Sequence, residues 1–217
     1  MSQFFVTDGG GLYRCQAFDV FAWQTHGFGT RHASPPAQVT LRQIHSAKVV
    51  NASGLEDRQA EGDGLITNKC GIAIGVRTAD CVPLLLLDRR TRVVGAIHAG
   101  WRGTAASIVE EALRCMRTNF ETQPEDVYAA IGPCIRACCY QVGMDVAERF
   151  REWNAVRPGN HVDLAAANRL QMMGCGIPQD QIFDCGICTF CDANQFYSFR
   201  REPQDPGRMT SAICRRL

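Results

Sequence analysis

The alternation of apolar and polar positions divides the chain into short strands and two amphipathic helices. Val39 to His45 (VTLRQIH) alternates with a period of two, the pattern of a half-buried strand, and this places His45 at the strand's C-terminal end. Gly71 to Val76 and Val82 to Leu87 are uninterrupted apolar runs between turn or polar residues, which suits buried strands. Asp88 to Thr91 reads as a hairpin turn, so Arg92 to His98 returns antiparallel and ends on a second histidine. After a tight turn over Gly100 to Gly103, Ala105, Ile108, Val109, Ala112, Leu113 and Met116 recur at helical spacing. Val127 to Gly132 is a further strand that Pro133 ends. Asp163 is placed to N-cap a helix over Leu164 to Met173, with Gly174 or Gly176 at its end and Pro178 beyond. Gln181 to Ile187 reads as a last strand and Pro203 to Gly207 as loop. Hairpin-connected strands with interspersed helices predict an α/β or α+β fold: one domain over residues 1–217, with mixed, largely antiparallel sheets and flanking helices.

Composition narrows the function classes. A chain of 217 residues with 46% hydrophobic content can bury one sizeable core. The formal net charge is +1 and the Lys and Arg are scattered, so no basic face recommends nucleic acid as a partner. No apolar run approaches the roughly 20 residues that span a bilayer, and the N-terminus lacks a secretory pattern, so a soluble cytoplasmic protein without a membrane partner is expected. In that compartment the 12 cysteines read as thiols or ligands, and most as small buried hydrophobes.

Position singles out a few residues. In Ile97 to Thr104 (IHAGWRGT) a strand delivers His98, glycines allow a sharp turn and a helix follows; Arg102 and free helix N–H groups suit an anion, or else Trp101 packs a plain glycine turn beside a solvated arginine. In Thr78 to Pro83 (TADCVP) Cys81 is open to three roles: ligand, nucleophile or filler. Adjacent Asp80 disfavours a thiolate unless a cation compensates. A zinc ion would compensate: His45, Cys81 and His98 each lie near a strand end, and two imidazoles with one thiolate leave a tetrahedral position open, as catalytic zinc requires. No local ligand spacing announces this trio. Cys185, Cys188 and Cys191 have the C-x₂-C-x₂-C shape without the continuation of a ferredoxin cluster. Cys134, Cys138 and Cys139 could join some of them around a second zinc, with buried thiols the plainer reading. His26, His32 and His161 read as ordinary packing or surface residues.

The ordered set RQIHS, GDGLIT, RTADCVPLLLLD, AIHAGWRGT, AAIGPCI with CYQV, DLAAANRLQMMGCGI, and CTFC with FYSFRRE and GRM resembles the multicopper polyphenol oxidase, or laccase-like, domain family. Its members are also described as purine nucleoside phosphorylases and as a peptidoglycan editing factor. The resemblance runs from about Leu41 almost to the C-terminus. It implies a cysteine-hydrolase-like fold and one zinc on the His of Q-x-H, the Cys of ADC and the His of HAGWRG, which are His45, Cys81 and His98. It further implies phosphorolysis of adenosine, inosine, guanosine and methylthioadenosine, and deamination of adenosine. Purine nucleoside and phosphate are then the partners, Arg31, Gln43 and Arg102 the substrate-side residues, and Asp80 a candidate to move protons beside the ligands. The chain lacks the repeated His-x-His pairs of a multicopper centre, so copper is the less suited metal. It departs from the family in a shortened stretch after Arg31 and in Gln141, where glutamate is common. Two other activities fit the same residues: an amide hydrolase with Cys81 as histidine-activated nucleophile, editing peptidoglycan precursors, and polyphenol oxidation. A zinc-stabilised binding protein would instead need a closed, four-ligand site.

Overall fold

The computed structural model describes residues 3–204 and 207–216. In chain order its elements are β1 (Phe5–Thr7), β2 (Tyr13–Cys15), β3 (Gln24–Phe28), β4 (Val49–Asn51), β5 (Gly64–Thr67), β6 (Ala73–Thr78), β7 (Val82–Asp88), β8 (Val94–Ala99), α1 (Trp101–Ala105), α2 (Ile108–Phe120), β9 (Val127–Ile131), α3 (Met144–Ala147), β10 (Val156–Arg157), β11 (His161–Val162), α4 (Leu164–Gly174), β12 (Ile182–Asp184) and β13 (Met209–Arg215). Two larger sheets form, a five-stranded one in the order β1-β2-β3-β13-β6 and a six-stranded one in the order β12-β9-β7-β8-β5-β4, with β10 and β11 as a separate pair. The six-stranded sheet is mixed: β12–β9 and β4–β5 are parallel and the pairs between them antiparallel. The α+β architecture with mixed, largely antiparallel sheets follows.

The uninterrupted apolar run of β7 has a direct cause. Leu84 and Leu86 pack into the cluster that holds Ile108, Val109, Ala112 and Met116 of α2 and Leu164 and Met172 of α4, whereas Leu85 and Leu87 pack against Phe28, Ile74, Val76 and Ile213 of the other sheet. The sheet is therefore covered by helices on one face and by a second sheet on the other, and no position in β7 meets water. Burying each such leucine contributes roughly 1.5–3 kcal/mol. The Asp88 hairpin forms as expected, its carboxylate accepting from the amides of Arg90 (2.8 Å) and Thr91 (3.0 Å). Asp163 caps α4 through the amide of Ala166 at 3.0 Å.

Four expectations need correction. Val39 to His45 is extended but is not a strand; single bridges at Val39–Ile74 and Arg42–Glu61 replace a ladder, and His45 turns the chain away at φ 58°. The helix after His98 begins at Trp101, inside the expected turn, and breaks at Ser107, whose φ of 55° separates α1 from α2. The first apolar strand is shifted to Ala73–Thr78 and the last shrinks to Ile182–Asp184. Of the expected loop Pro203 to Gly207, residues 205 and 206 lie outside the described residues. No helix among the described residues is long and apolar enough to cross a membrane.

His26, on β3, is a buried packing histidine. Its Nε2 accepts from the amide of Cys15 (2.9 Å), so the proton sits on Nδ1 beside Gln24 Oε1 (3.0 Å). Burial and the Arg14 charge hold its pKa down to about 4. The unfolded chain binds this proton near pH 6.5 and the folded chain only near pH 4, so stability is intact above about pH 6.5 and falls by up to roughly 3 kcal/mol as pH drops towards 4. Urea unfolding between pH 7.5 and 4.5 is expected to show this slope, and His26→Gln to flatten it.

Candidate metal centre

The strand register assembles the site. Between β7 and β8, Pro83 pairs with His98 and Val82 with Ala99, so the next pair outward is Cys81 with Gly100. Residues 98 and 100 lie on one face of the sheet, and opposed residues share a face, so Cys81 and His98 emerge together on the side of Leu85, Val94 and Ala96. Gly100 keeps this spot open. Its φ of −74° is ordinary, but a Cβ there would stand 3.1 Å from Cys81 Sγ and 3.3 Å from His45 Cδ2.

Between β5 and β8, Gly64 pairs with Ile97, which sets Asp63 opposite His98; the His98 amide donates to the Asp63 carbonyl at 2.7 Å. Asp63 is fully buried. One carboxylate oxygen accepts from His98 Nδ1 (2.8 Å) and the His45 amide (3.0 Å), and the other from the Ser46 amide (2.6 Å), the Ser46 hydroxyl (2.8 Å) and the Ile44 amide (3.3 Å). Burial pushes this carboxyl up, yet the bonds from His98 and Ser46 outweigh it and hold the group below the ordinary carboxylate range. The same contacts fold residues 44–46 around Asp63 and carry His45 to His98, ring centroids 5.0 Å apart. With Nδ1 given to Asp63, Nε2 is the His98 nitrogen left to ligate a metal once it gives up its own proton.

The ligand atoms of His45, Cys81 and His98 all lie within 4.8 Å of one another. Burial raises the Cys81 thiol, but the His98 charge and hydrogen bonds from His45 and His98 more than reverse this, so it is an acidified thiol. The His98 imidazole is correspondingly raised by the Cys81 charge and the Asp63 bond, against burial. Two nitrogens and an acidified sulfur converging on one point form a donor set that zinc accepts, with one tetrahedral position left over.

Asp80 stands at the crossing from one sheet to the other, with φ at 88°. Its oxygens accept from the Thr189 hydroxyl (2.7 Å), the Ser198 hydroxyl (2.9 Å) and the Arg200 amide (2.7 Å), while its carbonyl takes the Ile135 amide (2.9 Å). Such bonding sustains a backbone conformation that a non-glycine residue otherwise avoids. The trio opens into a cavity of about 830 Å³ whose lining includes Asp80, Trp101, Tyr140 and the five arginines Arg58, Arg77, Arg102, Arg200 and Arg208.

The family model described as multi-copper polyphenol oxidoreductase laccase matches residues 25–216. The chain belongs to this family. It is 40% identical over 179 residues to a purine nucleoside phosphorylase of Deinococcus radiodurans, covering 80% of this chain and 68% of that protein. It is 36% identical over 197 residues to the adenosine deaminase RL5 of an unknown prokaryotic organism, covering 82% of this chain and 75% of that one. Against a purine nucleoside phosphorylase of Bacteroides thetaiotaomicron, 40% identical, the matched stretch spans 60% of the relative's length. The crystal structure of YlmD from Geobacillus stearothermophilus superposes with a TM-score of 0.86 at 29% identity, covering 99% of both chains.

Within this laccase-like chain the expected residues fall into two groups. His45, Cys81, His98, Asp80, Gln43 and Arg102 all line the cavity. The Gln43 amide exchanges two 2.8 Å hydrogen bonds with the backbone of Arg77, and Arg102 stacks 4.3 Å over the Trp101 ring. Arg31 is outside the lining; it donates to Ala193 O (2.6 Å), stacks on Tyr197 and faces Glu202. Gln141 also lies outside, bonded to Gly159 O at 3.2 Å. Asp63, in the GDGLIT segment, has no local pattern that marks it beyond being an acid just ahead of an apolar strand. Asp63→Asn should lower metal affinity about 10- to 100-fold in chelator competition, because the amide cannot accept every bond that orients His98 and His45. Gly100→Ala should also weaken metal binding, with an unchanged circular-dichroism spectrum.

Proposed function

We propose that this chain is a zinc-dependent enzyme of purine nucleosides, performing phosphorolysis of adenosine, inosine, guanosine or methylthioadenosine and deamination of adenosine. The observation that carries the reading is the three-ligand centre opening into an arginine-lined cavity, of a size that suits a small-molecule ligand. The names of the Deinococcus relative and of RL5 support the substrate class. Zinc held by His45, Cys81 and His98 would supply Lewis acidity at the cavity wall.

The chain's own side chains do the rest. In phosphorolysis a phosphate oxygen bonds to the ribose anomeric carbon while the bond to the purine nitrogen breaks, its electron pair leaving with the base, which takes up a proton. Arginines in the lining concentrate and orient the phosphate; Arg102, braced by Trp101, is our first choice. In deamination water adds at C6 and ammonia leaves. Asp63 keeps the His98 tautomer fixed throughout. Asp80, already accepting from Thr189, Ser198 and Arg200, is assigned to bracing the loop before Cys81 instead of moving protons. Burial raises Tyr140 to about 12, so its hydroxyl stays protonated and able to donate within the cavity.

Incubation with adenosine, with and without phosphate, followed by resolution of inosine, adenine and ribose 1-phosphate, tests the reading; no product from any purine nucleoside overturns it. Arg102→Ala should raise the KM for phosphate roughly tenfold or more, from loss of one charge-assisted bond, while phosphate-independent deamination changes little.

The acidified Cys81 beside His98 also favours a second reading, a thiol amide hydrolase. Protein that lacks stoichiometric zinc but loses amidase activity on alkylation of Cys81 would establish it. Stoichiometric copper with oxidation of a phenolic substrate would point instead to the oxidase.

A further inference from the structure

A second cluster lies outside this centre. The sulfurs of Cys138, Cys139, Cys188 and Cys191 all lie within 4.8 Å of one another, with Cys139 and Cys191 at 3.3 Å and Cys138 and Cys191 at 3.8 Å. Four sulfurs at the corners of a tetrahedron about a zinc ion, each about 2.3 Å from it, stand about 3.8 Å apart. The spacing brackets that value, whereas a disulfide needs about 2.05 Å. All four cysteines are unpaired.

The backbone brings the two pairs of cysteines together. An isolated parallel bridge sets Cys134 against Cys188, with the Thr189 amide donating to the Cys134 carbonyl at 3.1 Å, so the segment after β9 and the segment after β12 run side by side. Cys188 and Cys191 are spaced C-x₂-C on one turn. Arg201 pins the turn by donating to the carbonyls of Thr189 (3.0 Å) and Phe190 (2.9 Å). Cys134 and Cys185, the other cysteines of these segments, are buried and outside the cluster.

We propose that Cys138, Cys139, Cys188 and Cys191 form a second, closed, tetrathiolate zinc site that fastens the two loops walling the catalytic cavity. Binding exchanges four S–H protons for one Zn²⁺, and with four protein ligands no position remains for substrate. The clip reaches the first centre through the chain: Thr189, between Cys188 and Cys191, holds Asp80, the neighbour of Cys81. Ile135 and Tyr140, either side of Cys138 and Cys139, line the cavity directly. The site is therefore structural, positioning the wall without touching substrate.

The test uses the full chain purified under reducing conditions from zinc-supplemented medium. Cys81→Ser, which disables the first centre, should retain one zinc per chain, with an X-ray absorption spectrum showing a sulfur-only shell at about 2.3 Å. Cys138→Ser with Cys191→Ser in that background should lose this ion. As the single and triple changes can unfold the chain, the unaltered protein loaded with cobalt provides an independent reading: intense sulfur-to-cobalt charge-transfer absorption exceeding what one thiolate supplies. A folded Cys81→Ser chain with no zinc, a shell containing nitrogen, or reduced protein that takes up only one cobalt with one-thiolate intensity overturns the proposal. Because the Cys81→Ser chain lacks the first centre, failure here leaves the purine-nucleoside reading untouched, and the reverse holds.

Discussion

A single buried carboxylate holds the candidate centre together. Asp63 is dehydrated on all sides, a state that costs several kcal/mol unless its oxygens are fully hydrogen-bonded. The bonds come from two places: His98 on a central strand, and the amides and hydroxyl of residues 44–46, which belong to no strand. Satisfying Asp63 thus draws an irregular segment onto the sheet and carries His45 with it. His98 receives its tautomer from the same contact.

The sheet supplies the other half of the geometry. Burial on both faces gives β7 and β8 little freedom to slip, since a one-residue shift would send every side chain to the opposite layer. Cys81 and His98 consequently hold a fixed relation, with Gly100 leaving the space between them. Asp80, at the point where the chain passes from one sheet to the other, ties this edge to the loops after β9 and β12. The rigid layers set the ligands and the loops shape what surrounds them, the usual division between scaffold and specificity.

Charge is distributed in a way that the totals conceal. A chain of net charge +1 lines one cavity with five arginines. In a confined cleft that concentration attracts and orients an anion far more effectively than the overall charge suggests. Sulfur is unevenly placed too: of twelve thiols, one faces two imidazoles and four converge at a single point.

Much of this was legible in the sequence by itself. Periodicity marked β7, the Asp88 hairpin, β8, β9, α2 and α4, because two-sided burial and capping leave local signatures. Motif order identified the family, and strand-end placement together with that resemblance drew out His45, Cys81 and His98, whose ligand atoms the fold brings within 4.8 Å of one another. Only the tertiary structure decided the rest. Val39 to His45 alternates like a strand yet forms none; Asp63, distant in sequence, takes the amides of Ile44 and His45 at its end. Arg31 looked like a substrate residue and lies elsewhere, held by Ala193 and Tyr197. The strands β1 and β2, three residues each, are too short to show a period, and β13 is completed by the remote strands β3 and β6. The four converging cysteines come from two segments about fifty residues apart, as the 138–191 separation of 53 shows. Local pattern records what a residue does with its neighbours in the chain; which distant residue meets it is set by register and packing, and the chemistry of both clusters resides there.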